Sequence, residues 1–354
     1  MTGYERARRA LEMREVDYPP AWAPIICSAR SIEEILGRRD IWADPAQAHL
    51  AAFRALKVDM INQFIPYRPG EFDARTGVVD HRLPALEPEQ VAARVRARLP
   101  ELRRLLAEID ESQVGEEFAR RSAAGQALAG EDILWLQYEG AFRIPVMLYG
   151  EFGYENYFVF LATCPEVQEE LWALEAEVAR VYNRGIAAAM ERHHLPKVVR
   201  VDHDMTDSRG SIVRLELMDR YYFPHFKRAL APFADAGVRL VWHSDGNINE
   251  FIPRLLDAGI NGFQGFQEEH GVDYEAICRM RDRNGEPLMI WGSVSVTRVL
   301  PYCTPEQVRA DVRRCWRAAP DRGYVIGATS SICPDVPTEN IIAMFDEHTK
   351  CLHE

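Results

Sequence analysis

The sequence predicts an α/β protein: a closed (β/α)8 (TIM) barrel with an N-terminal helical extension. Three observations predict it. Between residues 198 and 350, short apolar β-branched runs alternate five times with amphipathic helical patterns, the grammar of a parallel sheet. Three further strand candidates precede them and bring the total to the eight that close a barrel. No G-x-G-x-x-G or phosphate-binding loop follows any strand, which removes support for the runner-up, an open doubly wound sheet around a nucleotide. At 354 residues the chain suits one such barrel, so residues 1–354 are read as a single domain with residues 1–20 as the extension.

In chain order, Arg6-Ala7-Arg8-Arg9 reads as the solvated face of an N-terminal helix. Residues 21–28 form the first strand, 45–56 a helix and 58–65 the second strand. Residues 73–83 carry turn chemistry and alternation, as a β-hairpin excursion would. A charged amphipathic helix is expected over 88–110, with Pro88 in its first turn, then a third strand over 133–138. Tyr154, Tyr157 and Phe158 make one apolar helix face. A long helix over 165–192 ends at His193-His194, where cations suit the helix dipole. The remaining strands are 198–201, 238–242, 260–266, 288–291 and 324–328. Helices over 214–235, 248–258, 274–283, 305–318 and 339–350 follow them in turn. Thr304-Pro305-Glu306-Gln307 combines an N-cap with proline and acidic or amide residues in the first turn. Ala236-Gly237 and Ala258-Gly259 are glycine stops before strands.

A net charge of −12 argues against nucleic acid or an anionic membrane surface as partner, since both demand a basic face. No apolar run reaches the length of a membrane span, and Met1-Thr2-Gly3-Tyr4-Glu5-Arg6 lacks a signal-peptide core, so the expected location is cytoplasmic. Seven cysteines without a C-x-x-C read as reduced thiols, with Cys278 and Cys315 packed in helices and Cys351 and His353 in an unimportant tail.

The stretch His243-Ser244-Asp245-Gly246-Asn247 carries the chemistry. It closes a strand, so His243 and Asp245 fall on one side of it, where α/β proteins build their sites. Gly246 permits a sharp turn and Asn247 can cap the helix after it. Three readings stay open for the pair: metal ligands, acid/base or substrate-binding groups, or a structural turn. The preceding strand ends in Asp202-His203-Asp204, where a carboxylate beside an imidazole can tune it; Asp202 and Asp204 share a side and His203 opposes them. Gln63, Tyr67 and Arg68 follow the second strand; Tyr138, Glu139, Phe142 and Arg143 follow the third. Gln264, Gln267, Trp291, Ser293 and Ser330 follow later strands, although Trp291 also suits barrel core. Aromatic residues with a few polar groups describe a pocket for a modest, partly apolar ligand.

An ordered set of segments resembles the uroporphyrinogen decarboxylase superfamily. They are Pro224-His225-Phe226-Lys227, Ala236-Gly237-Val238, His243 to Ile248, Leu256 to Gly262, Gly271-Val272-Asp273, Trp291-Gly292-Ser293-Val294, Thr304 to Val308 and Pro334 to Ile341. The resemblance covers roughly residues 130–350 and implies a distorted barrel with its site at the C-terminal mouth. It implies one of two chemistries: cofactor-free decarboxylation of uroporphyrinogen acetate arms, or methyl transfer involving corrinoid proteins or thiols, often with zinc. The porphyrinogen enzymes carry an arginine-rich R-Q-A-G-R segment near the N-terminus, which this chain lacks. Only Arg30, Arg68 and Arg143 stand as mouth cations, too few for an octacarboxylate. Zinc relatives carry H-x-C where this chain has His243 and Asp245, and Ser330 stands where their second cysteine falls. A zinc site of His243, Asp245 and Cys333 is chemically allowed but poorly suited to thiol activation.

The expectation is therefore a methyltransferase moving a methyl group between a small O- or N-methylated compound and a corrinoid (cobalamin) carried by a partner protein. His243 and Asp245 act on the leaving atom, and His203, Asp204 and Glu139 shape the polar wall. The alternatives are a decarboxylase acting on uroporphyrinogen or a related carboxylate, and a non-catalytic ligand- or corrinoid-binding barrel. A homodimer is what the resemblance implies.

Overall fold

The structure is a computed structural model that describes residues 1–62, 64, 83–137 and 142–351. Its strands are β1 (Trp22–Ala23), β2 (Met60–Ile61), β3 (Leu134–Trp135), β4 (Val198–Asp202), β5 (Thr206–Asp207), β6 (Gly210–Ser211), β7 (Arg239–His243), β8 (Gly262–Gln264), β9 (Met289–Trp291) and β10 (Tyr324–Val325). The first three form one parallel sheet and β10-β9-β8-β7-β4 a second; β5 and β6 are a small antiparallel hairpin. Backbone bonds join the two parallel sheets beside β1. Trp22 donates to the Ile326 carbonyl at 2.8 Å, and Cys27 to the Ile332 carbonyl at 2.8 Å. The eight parallel strands thus run β3-β2-β1-β10-β9-β8-β7-β4.

Between β3 and β4 no ladder forms among the described residues, and packing spans the seam instead. Leu134, Leu136 and Val198 share one buried cluster with Trp22, Met60, Val241, Met289, Trp291 and Val325. Inward side chains from seven of the eight parallel strands meeting in one cluster are the filled interior of a barrel. Ala7, Ala10 and Leu11, from the helix Gly3–Leu11, enter the same cluster and plug the N-terminal ends of the strands.

That plug corrects the reading of the basic tract as solvated. Arg6 is 4% exposed and donates to Asp59 and Asp17, each at 2.7 Å, with its guanidinium 3.7 Å from the Tyr18 ring centre. A buried guanidinium is tolerable only when so paired.

Several helix boundaries also move. The helix expected over 88–110 is two, Pro88–Arg96 and Leu99–Glu108, because Pro100 can neither donate nor clear the carbonyl four residues back. Asp110 is an N-cap rather than a helix end: it accepts from Ser112 and Gln113 and opens the unforeseen helix Glu111–Ala129. Leu215–Leu217 and Phe223–Asp235 are joined by a π-turn, Met218–Tyr222, which accommodates Pro224. The helix placed from residue 248 begins as Ile252–Ala258. Pro165–Arg192 is one long helix as expected, packed on Glu111–Ala129 and Phe223–Asp235. The hairpin expected over 73–83 lies outside the described residues except for Leu83. Cys278 and Cys315 are buried as expected; Cys351, placed in a tail, is buried in the core, while His353 lies outside the described residues. Among the described residues, no helix is long and apolar enough to cross a membrane.

Candidate active site

The site is a row across the sheet at the C-terminal strand ends. Asp202 pairs in register with His243, His243 with Gln264, and Gln264 with Trp291. Residues level in register share a face, so all four side chains point inward. Arg200 lies one layer down with the same parity. Its Nη1 donates to Asp202 at 2.5 Å and its Nε to the Gln264 Oε1 at 3.0 Å. Gln264, fully buried, also donates to the Thr329 carbonyl at 2.8 Å. Arg200 and Gln264 thus brace β4, β8 and the segment after β10 beneath His243.

Beyond the strand ends the chain is held by its own loops. The hairpin β5–β6 lies over the turn after β7, where the Asn247 amide donates to the Asp207 carbonyl at 2.8 Å. Gly246, at φ +93°, leaves no room for a Cβ, which would stand 2.5 Å from that same carbonyl. Gly265, at φ +86°, does the same for the imidazole: a Cβ there would lie 2.5 Å from His243 Nδ1. Asn247 accepts from the Asn249 amide at 3.1 Å, so it caps a turn, and the helix starts later than expected.

Asp202, Asp204 and His243 converge: one ligand-type atom from each lies within 4.8 Å of the other two. His243 is 4% exposed, and its Nδ1 is buried without a hydrogen-bond partner. Burial, with the Arg200 charge, lowers its pKa to about 4, so the ring is neutral near pH 7. Asp204 accepts the Asp245 amide at 2.9 Å, and burial raises its pKa. Asp245 accepts from Gln267 Nε2 at 3.4 Å, while Gln267 Oε1 takes the Gly246 amide at 2.7 Å. Burial and the charges of Asp204 and Asp202 push Asp245 up to about 7. The arrangement offers two carboxylates, a neutral imidazole with an unused ring nitrogen, and a carboxyl that exchanges its proton near neutrality.

His203 is not part of this group. Its parity sends it outward, where Nε2 accepts the Met147 amide at 3.1 Å and the ring stacks on Tyr149. Burial holds it neutral, with a pKa of about 4. Tyr149 in turn donates to the Asp204 carbonyl at 3.0 Å and stacks on Tyr154 at 4.9 Å.

The other sequence candidates separate. Trp291 is fully buried in the barrel interior, 5.9 Å from the Trp22 ring, and Ser293 is buried beside the Phe266 carbonyl. Gln264 and Gln267 brace the site. Ser330 is half-buried, and Cys333 is exposed, its thiol nearest the Ser331 carbonyl at 3.9 Å. The set His243, Asp245 and Cys333 does not converge; His243 gathers Asp202 and Asp204 instead. Gln63, Tyr67, Arg68, Tyr138 and Glu139 lie outside the described residues. Arg143 is exposed, 4.9 Å from the Tyr182 ring, and lines a cavity of about 310 Å³ with Asp202, Glu175, Phe142, Ile144 and Val146.

Sequence reasoning missed Arg200, Gln264's bracing role and Glu175. An arginine inside the apolar run Val198-Val199-Arg200-Val201, at the parity of Asp202, was a usable signal. Glu175 had none: it sits mid-helix, accepts the Val146 amide at 3.3 Å, and is raised to about 8 by burial.

Comparison with known proteins adds the following. Residues 2–351 match the family model described as uroporphyrinogen decarboxylase (URO-D). A methyltransferase from Methanosarcina mazei is similar in structure with a TM-score of 0.60 and 14% identity, over 99% of each chain. A B12-independent methionine synthase from a Shewanella species, solved with selenomethionine, gives a TM-score of 0.41 and 12% identity over 66% of each chain. No curated protein matches the sequence.

Proposed function

The chain belongs to the uroporphyrinogen decarboxylase family, a family of enzymes, and from that premise we propose that it is a methyltransferase. In this reading it moves a methyl group between a small O- or N-methylated compound and a corrinoid carried by a partner protein. The protein of similar fold from Methanosarcina mazei carries the same activity class in its name.

The observation that carries the choice is the sign of the charge at the mouth. Asp202 and Asp204 converge on His243, the charges of both act on Asp245 nearby, and a polycarboxylate brought there would meet like charges. Of the candidate cations, Arg68 lies outside the described residues and the others are already engaged. Arg200 is bound to Asp202 and Gln264, Arg30 is exposed and paired with Glu34 at 2.7 Å, and Arg143 lies over Tyr182. This disfavours uroporphyrinogen as substrate.

In methyl transfer, the methyl carbon leaves its heteroatom with the bonding pair staying behind. An oxygen leaves as an anion and needs a proton; Asp245, protonated in part near neutrality and oriented by Gln267, supplies it. A neutral departing amine needs none. His243, neutral near pH 7, stands beside Asp202 and Asp204, and Arg200 and Gln264 fix the floor. The donor set Asp202, Asp204 and His243, two carboxylates and a neutral imidazole within 4.8 Å of one another, fits a divalent cation such as zinc without any thiolate. Bound there, it would polarise the departing heteroatom.

The test is spectroscopic. Purified protein is mixed with cob(I)alamin and a panel of methoxylated and N-methylated donors, and methylcobalamin is followed by absorbance. Formation from at least one donor is expected; failure with every donor, together with conversion of uroporphyrinogen to coproporphyrinogen, would replace this reading by the decarboxylase.

A further inference from the structure

We propose that Cys27 and Cys333 form an oxidation site at the barrel mouth: two thiols that a peroxide or a small disulfide closes into one intramolecular disulfide.

Backbone register brings them together. Ile26 and Ile332 pair as a parallel bridge, in which the Ile332 amide donates to the Ile25 carbonyl at 2.9 Å and the Cys27 amide to the Ile332 carbonyl at 2.8 Å. Cys27 and Cys333 each stand one residue beyond that bridge, so they are neighbours across it. Side chains alternate, and the burial follows: Ile26 and Ile332 are fully buried, while Cys27 is half-buried and Cys333 exposed. Both thiols thus leave on the same face. Neighbouring strands lie about 4.8 Å apart, inside the Cα separation of about 4.4–6.8 Å that a disulfide spans.

Electrostatics place the thiols together independently. Burial, and after it the charge of Cys333, pushes Cys27 up to about 11. Burial, Asp335 and Asp245 raise Cys333 in turn. The two sulfurs therefore sense each other, and the pair lies within reach of Asp245. Among the described residues, no other β-bridge sets two cysteines side by side. Cys278, Cys315 and Cys351 are buried, away from an oxidant in solution. Once formed, the bond would fasten the exit of β1 to the segment after β10, whose Thr329 carbonyl holds Gln264 beneath His243.

The chemistry balances with the oxidant as the one reagent. Cys333, the more exposed thiol, gives up its proton and attacks a peroxide oxygen. The O–O bond breaks, the sulfur becomes a sulfenic acid and one water leaves. The Cys27 sulfur then displaces the hydroxyl, the S–S bond forms and a second water carries off the Cys27 proton. Two electrons pass from the thiols to the peroxide. A small disulfide serves by exchange, releasing its two halves as thiols. Because the surroundings keep both groups as neutral thiols, the pair rests reduced and closes slowly.

The experiment oxidises the full chain with hydrogen peroxide and, separately, with oxidised glutathione in mildly alkaline buffer. The product is alkylated, digested without reductant and mapped by mass spectrometry. A peptide linking Cys27 to Cys333 is expected as the main disulfide, with two thiols per chain lost from the titre and regained on adding dithiothreitol. Cys27→Ser should abolish that peptide and leave Cys333 as a sulfinic acid or glutathione adduct, species at least about tenfold scarcer in wild type. Single modification of Cys333 in wild type, with no link to Cys27, would overturn the proposal. So would links through Cys164 or Cys303 in greater yield, or a full thiol titre after an exposure that oxidises free cysteine in a parallel sample.

Discussion

At the scale of single residues, Asp245 is the group whose state changes across ordinary pH. Burial and two neighbouring carboxylates raise it to about 7, against about 3.9 in an unfolded chain. Between those values the folded protein keeps a proton that the unfolded chain has lost. The stabilising contribution is therefore complete below about pH 4 and is lost as pH rises through about 7. Asp245→Asn removes that dependence. Relative to wild type, the variant should gain about 2 kcal/mol of stability between about pH 5 and about pH 8, read from denaturant midpoints at each pH. An unchanged difference across that range would mean Asp245 is ionised throughout. The same scale shows what the sequence disclosed and what it hid. His243, Asp204 and Asp245 were legible because a period of two and a strand end decide which way side chains point. That Asp202 joins His243 was not, because it depends on the register between β4 and β7, forty residues apart along the chain. The same parity that brings Asp202 in turns His203 out.

Among elements, the N-terminal helix Gly3–Leu11 is the piece whose role differs most from its appearance. Its alternation of arginine and alanine looks like a solvated face, yet Ala7, Ala10 and Leu11 close the barrel and Arg6 goes in with them. Asp59, just before β2, accepts Arg6 on one oxygen, while its other oxygen takes the Ala21 amide at 2.7 Å. The ion pair thus ties the helix to the starts of β1 and β2. Arg6→Met should leave Asp59 buried without its cation and cost about 3–5 kcal/mol, measured by urea unfolding. A cost under about 1 kcal/mol would show the pair to be solvated in solution. Propensity could not reveal this, since a buried arginine is identified by its partners and both of them are distant in sequence or in a loop. The long helix Pro165–Arg192 was legible because 28 periodic residues leave no alternative, whereas Glu111–Ala129 hid behind a capping aspartate read as an ending.

Over the whole molecule, strand–helix alternation revealed eight parallel strands and their order, because each unit repeats the same local signals. How β3 meets β4 was not legible, since among the described residues interior packing and no ladder bond joins them, and packing leaves no mark in a strand pattern. The cavity lined by Asp202, Arg143 and Glu175 lies beside the end of β4. The most direct measurement of the central claim is the initial rate of methylcobalamin formation by wild type and by His243→Ala, with matched circular-dichroism spectra and the best donor from the panel. A fall of at least about 100-fold is expected, as for removal of a group acting at the reacting atoms. Rates within about twofold of each other would contradict the account and leave a barrel that binds its ligand without acting on it.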